Sequence, residues 1–113
     1  LDAPDGQAPQ VLAMYGALQP LFAALELGIE SVSLSGRGGW TVQLDTGAAI
    51  ELGRGSDAEV LARTSRFVRT LTQVTSRYDR RPDAVETADL RHADGYALKL
   101  RGVSTVVTES QKK

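Results

Sequence analysis

The spacing of apolar residues changes along the chain, and each spacing predicts one kind of element. Over residues 10–25 they recur every three or four positions, which predicts a helix closed by Gly28, with Pro20 expected to bend or split it. Over residues 31–52 the period falls to two, which predicts three strands. The helical positions are Val11, Leu12, Met14, Tyr15, Leu18, Leu21, Phe22 and Leu25.

The second and third of these strands form a predicted hairpin whose register follows from its side chains. The loop is 45–47, and Gly47 at its third position can adopt left-handed backbone without a Cβ penalty. The "GRGG" segment ahead of this hairpin is interpreted as a connection or bulge between strands. All six apolar side chains share one face when the pairs are Leu44 with Ala48, Val42 with Ile50, and Trp40 with Leu52.

A second helix is predicted after residue 55. Ser56 or Asp57 can cap it, and Pro82 in "DRRPD" ends it by disfavouring helical backbone in Arg81. Its arginines are interpreted as a solvated face, with a site for an acidic partner as the alternative. The predicted buried stripe is Val60, Leu61, Phe67, Val68, Leu71 and Val74, and the arginines are Arg63, Arg66, Arg69 and Arg77.

The last predicted element is a β-hairpin in "DLRHADGYALKLRG", residues 89–102. Since no strand is predicted after it, its second strand should present unpaired backbone groups, which form a template for an added strand. The alternative is a hairpin that only completes the core, with Lys99 and Arg101 as ordinary edge charges. One apolar face and a 93–95 loop result when the pairs are Ala88 with Leu100, Leu90 with Leu98, and His92 with Tyr96.

Together these elements predict an α+β fold: a mainly antiparallel sheet with two helices packed on it, ending in an edge β-hairpin. The 113 residues suffice for one domain with a modest core. Residues 1–9 are rich in Asp, Gly and Pro and are predicted to be a linker, 10–102 the domain, and 103–113 a C-terminal tail. The first residue is Leu1 rather than Met, which indicates a piece of a longer chain.

Charge and composition exclude several classes of function. The net charge is -1 with acids and bases interspersed, so there is no basic field for a nucleic acid and no single-sign face for an anionic membrane. The chain has no cysteine, which excludes disulfides and thiolate metal sites. No apolar run approaches the ~20 residues that a membrane span requires.

The sequence offers no catalytic constellation, metal site or cofactor motif. His92 is the single histidine and would need a carboxylate partner supplied by the fold to act as a base. The glycines at 36–39 resemble a phosphate loop but lack the Lys-Ser/Thr that follows in such loops. Trp40 alternates with core positions, which favours a buried side chain over a ligand platform.

Several short motifs occur in an order that resembles a known family. They are "SGRGGW", "LDTG", "LGRG", "RFVRTL" and "DLR…GYALK", and they span residues 3–100. In this order and spacing the chain resembles the carboxy-terminal region of the FtsQ/DivIB family of bacterial division proteins. It departs from the family pattern in reading Leu71-Thr72 where a Tyr-Pro pair is usual, and in the extra "ARTS" before Arg66-Phe67, so the second helix is expected to be longer or shifted.

The resemblance implies a scaffold of the division complex rather than an enzyme. The family's full chain has a cytoplasmic tail, one membrane helix and a small POTRA domain before this β domain, which lies on the periplasmic face of the inner membrane at the division site. Residues 1–9 would then join the domain to the POTRA domain. The resemblance further implies that the last strand accepts a strand from FtsB, itself bound to FtsL, and so links the divisome to septal peptidoglycan synthesis.

The partner-binding residues implied by the resemblance lie in two places. Arg37 and Arg91 fall where the family uses arginine against acidic groups of the partner. The strand that pairs with the partner comprises His92, Tyr96, Ala97, Leu98, Lys99 and Leu100. A different class of function stays open beside this one, a small periplasmic ligand-binding or hydrolytic domain that uses the loop between Gly36 and Trp40.

Overall fold

The computed structural model describes residues 8–91, 95–103 and 107–110. These residues form two helices and a six-stranded sheet in the order α1, β1, β2, β3, α2, β4, β5, β6. The bounds are α1 Ala8–Ala23, β1 Ile29–Leu34, β2 Trp40–Leu44, β3 Ala49–Gly53, α2 Asp57–Ser76, β4 Val85–Asp89, β5 Gly95–Leu100 and β6 Val107–Ser110, with a 3₁₀ turn, Pro82–Ala84, before β4.

The strands lie in the sheet in the order of the chain, from β1 to β6. All neighbours are antiparallel except β3 and β4, which are parallel because α2 carries the chain back to the starting end of the sheet. Both helices contact the sheet: α1 lies against β1, and α2 lies against β3 and β5. The predicted α+β class, with two helices on a mainly antiparallel sheet, is confirmed.

One face of the sheet forms the core with the helices. Alternate strand residues such as Val42, Ile50 and Leu98 are buried, and their neighbours Thr41 and Lys99 are partly or fully exposed. This alternation is typical of an antiparallel sheet covered on one side. The opposite face of the sheet is therefore available to solvent.

The first helix ends differently from its prediction. Pro20 lies in the last turn of α1 and does not split it, because it interrupts the hydrogen bonding only near the helix end. The left-handed residue that stops the helix is Glu26, with φ 61°, and not Gly28. The amide of Leu27 reaches back to the carbonyl of Phe22 at 3.0 Å, as in a Schellman motif.

The second helix has the predicted start, and its predicted stripe is buried except for Leu61, which is partly buried. The hydroxyl of Ser56 accepts from the Glu59 amide at 3.1 Å, and the Glu59 carboxylate accepts from the Ser56 amide at 2.8 Å, which completes a capping box. At the other end the helix stops at Ser76, followed by Asp79 in left-handed backbone with φ 60°. The sequence predicts that Pro82 ends the helix, and this is wrong. Pro82 lies beyond the helix end and begins the 3₁₀ turn.

The predicted register of the β2–β3 hairpin is confirmed over most of its length. Val42 pairs with Ile50, and the Leu44 amide donates to the Ala48 carbonyl at 2.9 Å. Gly47 closes the loop with φ 93°. At the far end a bulge pairs Trp40 with Gly53 instead of Leu52, although all six predicted apolar side chains are buried.

The register predicted for β4 and β5 is wrong by two residues. Ala88 pairs with Leu98 and not with Leu100, so the connection to β5 starts at Leu90 rather than at residue 93. A shift of two keeps every side chain on its predicted face, and Leu90, Leu98 and Leu100 are all buried. Hydrophobic alternation alone cannot distinguish the two registers. The predicted loop residues 93 and 94 lie outside the described residues.

The strand predicted to be last is not the last strand. Within residues 103–113, which were predicted to be a tail, Val107–Ser110 forms β6 and pairs antiparallel with β5, from Gly95 opposite Ser110 to Leu98 opposite Val107. The prediction failed because four residues are too few to show a reliable alternation. Among the described residues, β6 therefore covers the edge of β5 from Gly95 to Leu98.

Candidate functional site

The ends of β1, β3 and β4 and the starts of β2 and β5 lie together at one end of the sheet. Because β1, β3 and β4 run in the same direction while β2 and β5 run in the opposite one, Leu34, Gly53 and Asp89 lie at the same end as Trp40 and Gly95. The loops that follow these strands border a cleft of about 520 Å³, here called the arginine cleft. The residues that line it are Ser35, Arg37, Gly39, Glu51, Gly53, Arg54, Arg63 and Arg91.

Arg37 is presented by the tight turn between β1 and β2. The Gly38 amide donates to the Ser35 carbonyl at 2.9 Å, and Gly38 has φ 88°. The Ser35 hydroxyl accepts from the backbone amides of Arg37 and Gly39, at 3.3 and 3.0 Å. These bonds keep the turn compact and place the exposed Arg37 side chain at its tip. The "GRGG" segment is thus a strand connection, as predicted.

Arg54 lines the cleft from the segment after β3, between two glycines of "LGRG". Gly53 and Gly55 have φ 85° and 135°, values that favour glycine. Arg63 of α2 holds this segment, because its guanidinium donates to the carbonyl of Leu52 and, at 3.0 Å, to the carbonyl of Arg54. The predicted solvated role of Arg63 is therefore wrong: its side chain is partly buried and holds the end of β3.

Arg91 follows β4, and its side chain is held by Asp89, two residues earlier in the chain. Its Nε and Nη2 donate to the two carboxylate oxygens of Asp89, both at 2.9 Å, and its amide donates to the same carboxylate at 3.0 Å. These bonds, and then the charges of Asp89 and Glu51, raise the pKa of Arg91 above its ordinary value. The backbone here is tied to β3, because the Leu90 amide donates to the Glu51 carbonyl at 2.8 Å.

Glycine 53 allows two of these arginines to approach closely. A Cβ at this position would lie 2.9 Å from Cγ of Arg91 and 3.1 Å from Nη1 of Arg63. A side chain at this position would therefore require both arginines to move. The cleft is therefore built by contacts between β3, α2 and the segment after β4, and Gly53 is the position where the three meet.

The charge of the cleft is positive. Four guanidinium groups line it against one carboxylate, Glu51, whose Oε1 accepts from the Thr41 hydroxyl at 3.1 Å. Arg63 and Arg91 are occupied by the carbonyls and the carboxylate described above. The guanidinium groups of Arg37 and Arg54 make no hydrogen bond or ion pair with other described residues. Chemically, the cleft suits carboxylates of a binding partner.

The two arginines predicted to bind a partner do lie in one cleft, but the strand residues divide into two groups. Side chains of Tyr96, Leu98 and Leu100 are buried against the helices and cannot contact a partner. The ring of Tyr96 packs edge-on against Phe67 at 4.8 Å, and its hydroxyl shares a hydrogen bond with Thr70. These three residues can offer a partner only their backbone.

The remaining predicted strand residues differ in exposure. Lys99 is exposed, Ala97 is partly buried, and His92 lies outside the described residues. Ala97 lies between two strands, opposite Asp89 of β4 and Thr108 of β6, so its backbone is not at the uncovered edge that was predicted for this strand. Among the described residues, β6 pairs with β5 from Gly95 to Leu98.

Sequence reasoning missed Arg54 and Arg63 as parts of the site. The signal for Arg54 was present in "LGRG", where two glycines flank a single charge. No comparable signal marks Arg63, which lies in the "ARTS" segment and matches three other helix arginines in type. Only its contact with β3 separates it from them.

Other chemistry finds little support in the part of the chain that is described. Trp40 is 1% exposed, so it cannot stack on a ligand in the loop that precedes it. Within residues 8–91, 95–103 and 107–110, no three His, Cys, Asp or Glu side chains are grouped to hold a metal ion. Neither of the helices described is both long enough and apolar enough to cross a membrane.

Comparisons with known proteins give one consistent result. Residues 1–91 match the family model described as "Cell division protein FtsQ/DivIB, C-terminal". The chain is 36% identical over 114 residues to a protein of Burkholderia pseudomallei named "Cell division protein FtsQ", covering 99% of this chain and 44% of the relative. A protein of the same name from Vibrio cholerae is 39% identical over 98 residues, covering 87% of this chain and 35% of the relative. The chain thus spans less than half the length of these relatives.

Proposed function

The chain belongs to the FtsQ/DivIB family of cell division proteins, whose C-terminal domain it matches, and from this premise we propose that it is a non-enzymatic scaffold that binds FtsB together with FtsL. In this proposal the domain lies on the periplasmic face of the inner membrane, held there by one membrane helix of a longer protein. It takes part in the divisome and connects its assembly to septal peptidoglycan synthesis.

The observation that carries the proposal is the meeting of Arg37 and Arg91 in one cleft. They are far apart in the sequence, and they line the same positive surface beside the start of β5. A partner segment with carboxylates can therefore bind the cleft and continue along the edge of the sheet. Backbone pairing along the edge supplies affinity, and the charges select the partner and its direction.

We propose that the partner strand pairs with β5 and replaces β6. The support is that β6 pairs with residues 95–98 of β5, and the start of β5 lies beside the cleft, so a segment bound in the cleft lies next to the backbone that β6 covers. Pairing can then extend along β5 as β6 is released. A strand added to the outer edge of β6 is the competing arrangement, and it would leave the β5–β6 pairing intact.

The arginine part of the proposal is tested by charge reversal. Arg37→Glu and Arg91→Glu should each weaken binding of the purified FtsB–FtsL complex by at least about tenfold, because a partner carboxylate would then meet a like charge. Arg69→Glu, on the exposed side of α2, is the control with the same change in net charge. Equal affinities for all three variants would reject the cleft as the partner site.

The strand part is tested by amide hydrogen exchange with and without FtsB–FtsL. Replacement of β6 predicts faster exchange in a peptide that covers residues 107–110 when the partner binds, while the amides of β5 stay protected. Slower exchange in that peptide would instead place the partner on β6 and overturn the replacement. Unchanged exchange in both strands, with binding retained, would reject strand addition at this edge.

A further inference from the structure

The four arginines of the cleft are not equivalent. Arg91 is bound at two points by Asp89, and Arg63 donates to two backbone carbonyls. Arg37 and Arg54 are exposed, and their guanidinium groups have no hydrogen-bonding partner among the described residues. The groups that can bind a new carboxylate without first giving up a bond are therefore Arg37 and Arg54.

The fold determines the position of the Arg54 backbone. Its carbonyl accepts from Arg63, and its flanking glycines adopt backbone that other residues rarely adopt. Its side chain lies beside Gly39, since a Cβ at Gly39 would lie 3.8 Å from Cγ of Arg54 and 3.9 Å from Oε2 of Glu51. Arg54 therefore lies beside the turn after β1 that carries Arg37.

We infer that Arg54 is a second acid-binding arginine of the cleft, that Arg63 positions it, and that the cleft takes a partner segment carrying at least two acidic side chains. The inference rests on the proposed function only for the identity of the partner. Its chemistry follows from two guanidinium groups that line one positive cleft and have no partner among the described residues. Glu51 also lines the cleft and repels an acid that is not matched to an arginine.

Arg54→Ala and Arg54→Glu test the binding role. For an exposed charge pair we expect Arg54→Ala to weaken binding of FtsB–FtsL about threefold to tenfold, and Arg54→Glu more strongly. Arg69→Ala and Arg69→Glu are the matched controls on α2. A change in affinity no larger than that of the Arg69 variants would overturn the role of Arg54.

Arg63→Ala and Arg63→Lys separate positioning from direct contact. Lysine keeps the charge but lacks the planar fork that reaches two carbonyls, so we expect both variants to weaken binding similarly. In the Arg54→Ala background neither variant should weaken binding further, because Arg63 acts through Arg54. Rescue of affinity by lysine, or full additivity with Arg54→Ala, would show a direct contact and overturn the positioning role. A melting curve for each variant identifies any loss of fold.

A hexaglutamate peptide provides a probe that does not depend on FtsB. At low salt the unmodified chain should bind it more tightly than a hexaglutamine peptide, and Arg54→Glu should remove the difference. If hexaglutamate binds in this way and FtsB–FtsL does not bind at all, the proposed function fails while the acid-binding cleft stands. If FtsB–FtsL binding depends on Arg37 and Arg91, but Arg54→Glu changes the affinity for neither FtsB–FtsL nor hexaglutamate, the proposed function stands and this inference fails.

Discussion

The two ends of β3 both depend on glycine, but for different physical reasons. At the hairpin end Gly47 has φ 93°, and a Cβ there would meet nothing within 4 Å. At the cleft end Gly53 has φ 85°, and a Cβ there would lie 2.9 Å from Arg91 and 3.1 Å from Arg63. The first glycine satisfies a local turn, and the second also admits side chains from distant parts of the chain.

This difference separates a turn that serves folding alone from the end of β3 where the proposed binding site lies. The hairpin end is closed by bonds between neighbours, such as the Gly47 amide to the Leu44 carbonyl at 2.9 Å. The cleft end brings together β3, α2 and the segment after β4. Changes at the hairpin end should therefore affect stability alone, and changes at the cleft end should affect stability and binding together.

Gly53→Ala tests the cleft end and should have the largest effect. The new methyl group combines left-handed strain with contacts of 2.9 Å to Arg91 and 3.1 Å to Arg63, and we expect a loss of about 2 to 4 kcal/mol in the free energy of unfolding. Since Arg91 and Arg63 must move aside, affinity for FtsB–FtsL should fall as well. Urea titration and a binding titration of the folded fraction measure the two effects. A variant as stable as the parent would show that the cleft is loosely packed and would remove the contrast.

Gly47→Ala tests the hairpin end and should have a smaller effect. Because space is open around this position, only the left-handed backbone is penalised, and we expect a loss of about 1 kcal/mol in stability. Affinity for the partner should equal that of the parent, measured by the same two titrations. A loss of affinity here would mean that the hairpin end communicates with the cleft, contrary to the comparison.

Thr46→Ala, at the residue before Gly47, should have the smallest effect of the three substitutions. The Thr46 hydroxyl accepts from the Ala48 amide at 3.4 Å, a long and weak bond in a part-buried turn. We expect the free energy of unfolding to change by no more than about 0.5 kcal/mol, with binding unchanged. A loss comparable to that of Gly47→Ala would show that side-chain bonding, and not backbone conformation, closes this loop.

The two hairpins show how far pattern reasoning reaches. The β2–β3 loop has three residues, so loop length and side-chain alternation select one register, and Val42 lies opposite Ile50 as predicted. The β4–β5 connection is longer, and two registers that differ by two residues bury the same side chains. The structure has the register in which Ala88 pairs with Leu98. In this structure the Leu90 amide donates to β3.

What the sequence determined by itself is what its short-range order encodes. The period of apolar residues gave the fold class, the buried stripe of α2 and the inward face of each predicted strand. Local chemistry gave the Ser56 cap and the turn at Gly47. The motif order identified the family, and with it Arg37 and Arg91 as candidates for the site.

Only the tertiary structure decided the features that depend on distant residues. Arg63 resembles other helix arginines until α2 packs against β3, where its fork meets two carbonyls. Arg54 becomes part of the cleft because the turn after β1 and the segment after β4 lie on either side of it. The pairing of β6 with β5 likewise joins segments whose own sequences are too short to specify it. The physical reason is the same in each case: the free energy of a contact depends on which groups the fold brings together, and a residue's sequence neighbours do not carry that information.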